Sequence, residues 1–200
     1  MSPTVVAPEL EAIPNRYRLP VEAYYRLRDL GFLEGRFEVL DGEVIRKMGQ
    51  NPPHRICIIL LSEWLGGLFG ARHVQSEGPI ALPVPDGIFS EPEPDVAVTR
   101  EPTTAYPDRH PGPADLLLVV EVADTTLRTD LLLKARLCAR AGIPEYWVVD
   151  VNTRQIHVLR DPVEGEYASV TVLSDCDRVS TASRPQTSTS VGDLFHPSPT

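Results

Sequence analysis

One run in the sequence constrains the fold more than any other, the nearly continuous apolar segment DLLLVVEV at residues 115–122. A run of this kind favours a β-strand that is buried on both faces, at the centre of a sheet. Glu121 lies inside this run, and an ionised carboxylate in a protein core is costly unless it is paired or bound to a metal. The run therefore predicts a central strand that carries a carboxylate in need of a partner.

The segments around this run predict a mixed α/β fold, in which helices pack on a central sheet. The first two candidate helices begin near prolines, and glycines mark the ends of all three. Asp41-Gly42 between two apolar stretches predicts a hairpin turn. The predicted helices are 21–31, 52–71 and 127–142, the single strands are 94–99, 115–122 and 145–150, and a late hairpin joins 154–160 to 166–173.

The composition along the chain predicts one domain with extended ends. Residues 1–18 are aperiodic and contain prolines, so we expect an extended arm, followed by a domain over 19–173. Residues 174–200 form a tail rich in Ser, Thr and Pro, which we expect to be weakly ordered, with a last helical turn at SVGDLF (190–195).

No targeting, membrane or disulfide signal stands out. No apolar run approaches the roughly 20 residues that cross a bilayer, and the N-terminus lacks the features of a signal peptide, so we expect a cytoplasmic protein without a membrane anchor. The cysteines at 57, 138 and 176 are far apart and form no CxxC motif. They predict neither a disulfide framework nor a zinc site.

The formal net charge of −9 bears on possible nucleic-acid partners. A protein that binds nucleic acid over its whole surface is normally basic, because neutralisation of phosphates supplies most of the affinity. An acidic chain can still bind DNA through a local basic groove, and carboxylates that await a metal add to the negative count. The charge therefore excludes a broad basic surface but leaves a local site open.

Three further charged residues fall where the predicted elements are apolar. Asp95 begins a short apolar strand, directly after Pro94. Lys134 belongs to an apolar helical stripe, and Glu38 lies in a hairpin strand. The stripe consists of Leu127, Leu131, Lys134, Cys138 and Ala141.

Phosphodiester cleavage explains this set of residues better than packing does. The reaction needs a hard divalent cation held by two or three carboxylates, with open positions for water and a phosphate oxygen. A nearby ammonium can orient the attacking water and neutralise the charge that develops in the transition state. Two carboxylates on adjacent strands, with a lysine from the following helix, would suit that chemistry.

Each of the four residues also has an ordinary structural explanation. Asp95 could be a turn residue after proline, and Glu121 could be paired with a buried arginine. Lys134 follows Asp130 by four residues, the spacing of an exposed helical ion pair. Glu38 could lie on the solvent-exposed face of a half-buried hairpin.

Two residues are candidates for phosphate contacts. His54 follows Pro52-Pro53 at a predicted helix start, where it could contact a phosphate, cap the helix, or do neither. Arg128, with Arg136 and Arg140, makes the region around Lys134 basic, although a solvated helix face explains these arginines equally well.

The succession of a Pro-Asp pair, a glutamate in an apolar strand and a lysine resembles the PD-(D/E)xK nuclease superfamily. More closely, the chain resembles the Uma-two family of restriction-endonuclease-like proteins. The resemblance spans roughly residues 20–160 and includes His54. The matching segments are RFEVLDGEVIRKM, EPEPDVAVTR and LLLVVEVADTTLRTDLLLKARLCARAGIPEYWVVD.

The resemblance implies an α/β, restriction-endonuclease-like fold, with a mixed central sheet flanked by helices and preceded by an N-terminal helix and hairpin. It further implies Mg²⁺ or Mn²⁺ as cofactor, Asp95 and Glu121 as metal ligands, and Glu38 as an accessory carboxylate. The superfamily motif places its lysine two residues after the glutamate, where this chain has Ala123. In similar sequences a helical lysine takes over that place, and Lys134 matches it.

Two smaller features of the same region complete the comparison. Thr126 and Asp130 also fall at matching positions, in the segment that leads into the lysine helix. Cys138 stands where relatives commonly carry tyrosine, which puts in doubt only a contact behind the site, because cysteine still fills an apolar slot.

The leading hypothesis is a divalent-metal-dependent endonuclease that acts on DNA, with Asp95, Glu121, Glu38 and Lys134 as catalytic residues. We expect a homodimer, because double-strand cleavage is simplest with two sites related by a two-fold axis. The alternatives are a catalytically inert nucleic-acid- or protein-binding module on the same fold, and a metal-dependent hydrolase of another phosphoester.

Overall fold

A computed structural model describes residues 17–47, 49–83 and 89–195. The strands are β1 Phe37–Leu40, β2 Glu43–Arg46, β3 Val74–Ser76, β4 Leu82–Pro83, β5 Phe89–Ser90, β6 Val96–Thr99, β7 Leu116–Ala123, β8 Glu145–Asp150, β9 Gln155–Val163, β10 Glu166–Ser174, β11 Arg178–Ser180 and β12 Ser188–Ser190. The helices are α1 Val21–Asp29, α2 Pro52–Phe69 and α3, which joins an α-helical turn Leu127–Thr129, a π-helical segment Asp130–Lys134 and an α-helical segment Ala135–Arg140.

The apolar run at residues 115–122 forms most of β7 and lies inside a six-stranded sheet, as predicted. The strand order is β10-β9-β8-β7-β6-β3. Strands β7 and β8 are parallel, and the other neighbouring pairs in this sheet are antiparallel. A parallel pair needs a crossover connection, and α3 supplies it between β7 and β8. The mixed central sheet flanked by helices is confirmed.

The two faces of the sheet carry separate apolar cores. Helix α2 packs on one face, where Trp64 stacks on Trp147 with ring centroids 6.0 Å apart. Helix α3 packs on the other face. Side chains alternate along a strand, so Val120 and Val122 of β7 belong to the α2 core, while Glu121 faces the side of α3.

The predicted hairpin is present, and its turn has the geometry that its sequence favours. Asp41 and Gly42 both have positive φ, at 52° and 78°. Positive φ at both central residues is the mark of the tight turn for which Asp-Gly is preferred. Strand β1 then contacts the rest of the domain through Val39, which pairs with Glu91 through two backbone hydrogen bonds.

Helix α2 begins at a defined cap. The side chain of Asn51 accepts a hydrogen bond from the backbone N–H of His54 at 3.0 Å, and Pro52 and Pro53 occupy the first turn. Proline suits this position because its missing N–H would have no partner there. The cap fixes His54 in the first turn of the helix.

The C-terminal tail differs from its prediction of weak order. Strands β11 and β12 form an antiparallel hairpin, and a 3₁₀ turn at Val191–Leu194 follows it, where a last helical turn was predicted. Burial of a few well-spaced apolar residues explains the order, because they complete the α2 core although the segment is polar on average. These residues are Val179, Val191, Leu194 and Phe195.

Two other predictions concern the N-terminal arm and membrane-spanning helices. Most of the predicted N-terminal arm, 1–16, lies outside the described residues, as does 196–200 at the other end. Within the described ranges no helix is long and apolar enough to cross a membrane.

Candidate active site

The register of β6 and β7 brings Asp95 and Glu121 together. These strands are antiparallel and pair Val96 with Val120, so Asp95, just before β6, lies opposite Glu121. Oδ2 of Asp95 accepts a hydrogen bond from the backbone N–H of Val122 at 2.8 Å. Both side chains are buried. Asp95 is therefore held against the neighbouring strand and is more than a turn residue after proline.

The ammonium of Lys134 connects Glu121 to Glu38. Its Nζ lies 3.0 Å from Oε1 of Glu121 and 3.1 Å from Oε1 of Glu38. Oδ1 of Asp130 is 3.7 Å away. The ion pair between Asp130 and Lys134 is thus present, but both side chains are buried. It belongs to a buried cluster and is not the exposed helical pair that the spacing allowed. The cluster consists of Glu38, Asp95, Glu121, Asp130 and Lys134.

A change of helix type occurs where α3 meets this cluster. The π-helical segment begins at Asp130 and ends at Lys134, so the two charged residues bound it. The Thr126 hydroxyl donates to Oδ2 of Asp130 at 2.6 Å, and the Tyr146 hydroxyl donates to its backbone carbonyl at 3.0 Å. Short π-helical stretches within α-helices are frequent at functional sites.

Glu38 reaches the cluster from the hairpin. It lies on β1 and is buried, so it is not on a solvent-exposed face. Its Oε2 accepts a hydrogen bond from the backbone N–H of Glu93 at 3.3 Å, while Oε1 contacts Lys134. The β1–β2 hairpin therefore supplies one carboxylate of the site.

His54 contacts the other carboxylate. Its Nε2 lies 3.4 Å from Oδ2 of Asp95, and its Nδ1 is buried without a hydrogen-bond partner among the described residues. Burial raises the pKa of Asp95, but the hydrogen bond from His54, the charge of Lys47 and the Val122 N–H outweigh it, so the pKa lies below its usual value. Asp95 is thus held in its ionised form.

Burial and charge oppose each other at Lys134. Burial lowers the pKa of the ammonium, but the charges of Glu121, Glu38 and Asp130 outweigh it, so the pKa is raised. Burial also raises the pKa of Asp130, against the lowering effect of Lys134. Burial raises the pKa of Glu121 in the same way, so Lys134 is the group that opposes protonation of both carboxyl groups.

These groups line a cleft with a volume of about 270 Å³. The polar rim comes from the segment before α2 and from the segment between β7 and α3. The charged and imidazole groups that line it are Glu38, Arg46, Lys47, His54, Asp95, Glu121, Asp124, Asp130 and Lys134. Arg128, predicted as a possible phosphate contact, is exposed and does not line the cleft.

The donor atoms fit a hard divalent cation. Oε2 of Glu121 and Oδ1 of Asp95 have no hydrogen-bond partner within the described residues. In the same ranges no group of three or more His, Cys, Asp or Glu side chains is placed so that it could hold a metal ion. Mg²⁺ is usually held by one or two carboxylates together with water. The two unpartnered oxygens match that mode of binding better than a cage of protein ligands.

Sequence reasoning missed two groups at the cleft. Lys47 follows β2 and lines the cleft, although its surroundings in the sequence indicate only a loop. Asp124, just after β7, accepts hydrogen bonds from Asn51 at 2.6 Å and Asn152 at 3.3 Å. The available signal for Asp124 was indirect. Asn51 precedes Pro52-Pro53 at the start of α2, and its side-chain amide can donate to a nearby carboxylate.

Comparison with known proteins agrees with this architecture. The fold matches the crystal structure of a putative nuclease belonging to DUF820 from Anabaena variabilis ATCC 29413, with a TM-score of 0.60 and 16% sequence identity. The match covers 84% of this chain and 96% of that one. It confirms the restriction-endonuclease-like fold.

The sequence itself gives the family. No curated protein matches the chain. The sequence model of the Uma2 family, described as a putative restriction endonuclease, matches residues 21–191, which include every residue of the cluster. The match supports a nuclease function in general terms. The chain belongs to the Uma2 family.

Proposed function

We propose that the protein is a divalent-metal-dependent endonuclease that hydrolyses phosphodiester bonds of DNA. The observation that carries the proposal is the position of Asp95 opposite Glu121 on neighbouring strands, each with one unpartnered oxygen at the cleft. Buried carboxylates are costly in a purely structural role. In a nuclease, a bound metal ion would offset that cost.

Asp95 and Glu121 are the proposed metal ligands, with Glu38 as an accessory carboxylate acting directly or through water. A bound Mg²⁺ or Mn²⁺ would supply Lewis-acid activation of water and of the phosphate. His54 and the Val122 N–H hold Asp95 in place through Oδ2, which leaves Oδ1 for the cation.

Lys134 holds Glu121 and Glu38 beside each other in this proposal. Its ammonium lies beside three carboxyl groups, so it holds them in place and opposes the burial that raises the pKa of Glu121 and Asp130. Its charge also lies next to the group that would carry the metal, where it stabilises negative charge on a reacting phosphate. Orientation of the attacking water by Lys134 stays a prediction from the sequence.

DNA as the substrate and a homodimer as the active form extend the same proposal. The cleft carries Arg46, Lys47 and His54 among its carboxylates, which gives a local set of phosphate partners on an acidic chain. Two copies related by a two-fold axis would supply one site for each strand of a duplex.

Incubation of the protein with plasmid and with short single-stranded substrates in Mg²⁺ or Mn²⁺ tests this function. We expect cleavage by the parent protein and its loss in Asp95→Asn, Glu121→Gln and Lys134→Ala. Glu166→Gln is the matched control, because its carboxylate is exposed and lies outside the cleft. Equal cleavage by Glu121→Gln and the parent would point to a contaminating nuclease.

One observation favours a second candidate, a catalytically inert nucleic-acid- or protein-binding module. The Lys134 ammonium already compensates Glu121 and Glu38, so part of the cluster is satisfied by the protein itself. The net charge of −9 and Ala123 at the usual lysine position agree with this candidate. DNA cleavage that disappears with Lys134→Ala excludes the inert module.

A further inference from the structure

The sequence of 200 residues contains two lysines, Lys47 and Lys134, while its remaining basic residues are arginines. Both lysines line the same cleft. Lysine differs from arginine in presenting a compact point charge with three rotatable donors. Both lysine side chains of the sequence therefore lie at the candidate active site, whereas most of the arginines lie elsewhere.

The two ammonium groups have different surroundings. Lys134 is buried, and three carboxylates lie within 3.7 Å of its Nζ. Its Nζ donates a hydrogen bond to Glu121, and the carboxylates of Glu38 and Asp130 lie beside it, so this group has little capacity left for a direct hydrogen bond to a phosphate. A substrate that enters the cleft must find its ammonium partner elsewhere.

Lys47 has that capacity. It directly follows β2, its backbone N–H donates to the carbonyl of Arg36 at 3.0 Å, and its side chain is half-buried. Its ammonium donates to the backbone carbonyl of Glu93. No carboxylate forms an ion pair with it in the described part of the chain, so its charge is not neutralised by direct contact and two of its donors remain.

Other cations near the cleft are less suitable. Arg36 and Arg55 both pair with Glu77, at 2.6 and 2.9 Å. Arg46 lines the cleft, but its side chain is exposed, where solvent screens its charge.

We propose that Lys47 is a substrate-binding residue that contacts the phosphate of a nucleic acid in the cleft, while Lys134 positions the carboxylates. This assignment deepens the proposed nuclease function and rests on it. Lys47 approaches from the end of β2, and Lys134 approaches from α3.

Binding of a fluorescein-labelled DNA duplex, followed by fluorescence anisotropy in Ca²⁺ over a series of salt concentrations, tests the contact without requiring cleavage. We expect Lys47→Gln to weaken binding about tenfold and to reduce the salt slope by about 0.9, the value for one lost phosphate contact. Lys47→Arg keeps the charge and should retain most of the binding. Urea unfolding of each variant checks that the fold is intact.

Arg72→Gln is the matched control. It removes one exposed positive charge just beyond the C-terminal end of α2, whereas the cleft lies at the N-terminal end of this 18-residue helix. A helix of that length spans about 27 Å. If Lys47→Gln binds as the parent does, or if Arg72→Gln weakens binding equally, the assignment is overturned.

Amine acetylation followed by peptide mass spectrometry gives a second readout that needs no variant. We expect acetylation of Lys47 that bound duplex suppresses, and little acetylation of buried Lys134 with or without duplex. Acetylation of Lys47 that duplex leaves unchanged would contradict the contact.

The two levels of the proposal can fail separately. If the parent binds duplex through Lys47 but cleaves nothing in Mn²⁺, the nuclease function fails while the phosphate contact stands. If the parent cleaves and Lys47→Gln binds and cleaves equally well, the contact fails while the function stands. Absence of any duplex binding by the parent overturns the contact.

Discussion

Nζ of Lys134 lies 3.0 Å from Oε1 of Glu121, and both side chains are buried between α3 and the central sheet. The lysine comes from the π-helical segment of the crossover, and the glutamate comes from the strand before it. Their contact joins α3 to strand β7 of the central sheet. The stability of the domain and the geometry of the site therefore depend on the same pair.

Replacement of Lys134 by Met should destabilise the protein by about 3–5 kcal/mol, because it leaves buried carboxylates without their partner. The free energy of unfolding from urea titrations measures this cost. The double variant Lys134→Met, Glu121→Gln should recover part of it, since it removes one of the uncompensated charges.

Arg136→Met on the same helix is the control for that experiment. Arg136 pairs with Glu166, but both side chains are more than half exposed. Exposed ion pairs contribute little to stability. If Lys134→Met costs no more than Arg136→Met, the buried pair does not stabilise the domain.

Asn51 should contribute to both the fold and the site. Asn51→Ala removes the cap of α2 and should cost about 1 kcal/mol in urea unfolding. Asn51→Ser can still cap the helix but loses the 2.6 Å contact with Asp124. We expect Asn51→Ser to unfold much as the parent does while cleaving more slowly. Equal unfolding of all three proteins would show that the cap has no energetic role.

The C-terminal segment should behave as part of the domain. Leu194→Ala removes a buried side chain from the α2 core and should cost about 2–5 kcal/mol. Gln186→Ala, at an exposed position in the loop between β11 and β12, is the matched control. Equal unfolding free energies for the two variants would mean that residues 178–195 do not pack as described.

Alkaline pH should destabilise the protein through Tyr167. Burial raises the pKa of Tyr167 in the folded state, whereas an unfolded tyrosine titrates near pH 10. Its contribution to stability is therefore fully present below about pH 10 and falls as the pH rises above that value. Urea titrations between about pH 8 and 11 should show a steeper decline for the parent than for Tyr167→Phe.

Tyr17→Phe is the control for this pH dependence, because the Tyr17 side chain is 82% exposed. We expect the decline of this variant to follow that of the parent. A parent and a Tyr167→Phe variant that lose stability in parallel would contradict the assignment.

The sequence predicted the central sheet and the four charged residues because those residues interrupt apolar patterns. Glu121 and Lys134 stand out in a strand and a helical stripe where charge is costly. The register of β6 and β7 could not be predicted, since it depends on pairing between distant segments. The burial of Asp130 was also out of reach, because the spacing to Lys134 fits an exposed pair equally well.

Other features had weak or no local signals. The π-helical segment has no sequence pattern of its own. The C-terminal hairpin was missed because its composition is polar and only widely spaced residues such as Val179 and Leu194 enter the core. Lys47 follows a strand and precedes a loop, so only the folded arrangement brings it to the cleft.

Isothermal titration of Mn²⁺ into the parent, Asp95→Ala, Glu121→Gln and Glu166→Gln tests the central claim most directly. We expect Mn²⁺ binding by the parent and by Glu166→Gln, and its loss in both cleft variants, because Asp95 and Glu121 supply the unpartnered oxygens. Absence of Mn²⁺ and Mg²⁺ binding by the parent, or unchanged binding by Asp95→Ala, would contradict a metal centre at this pair.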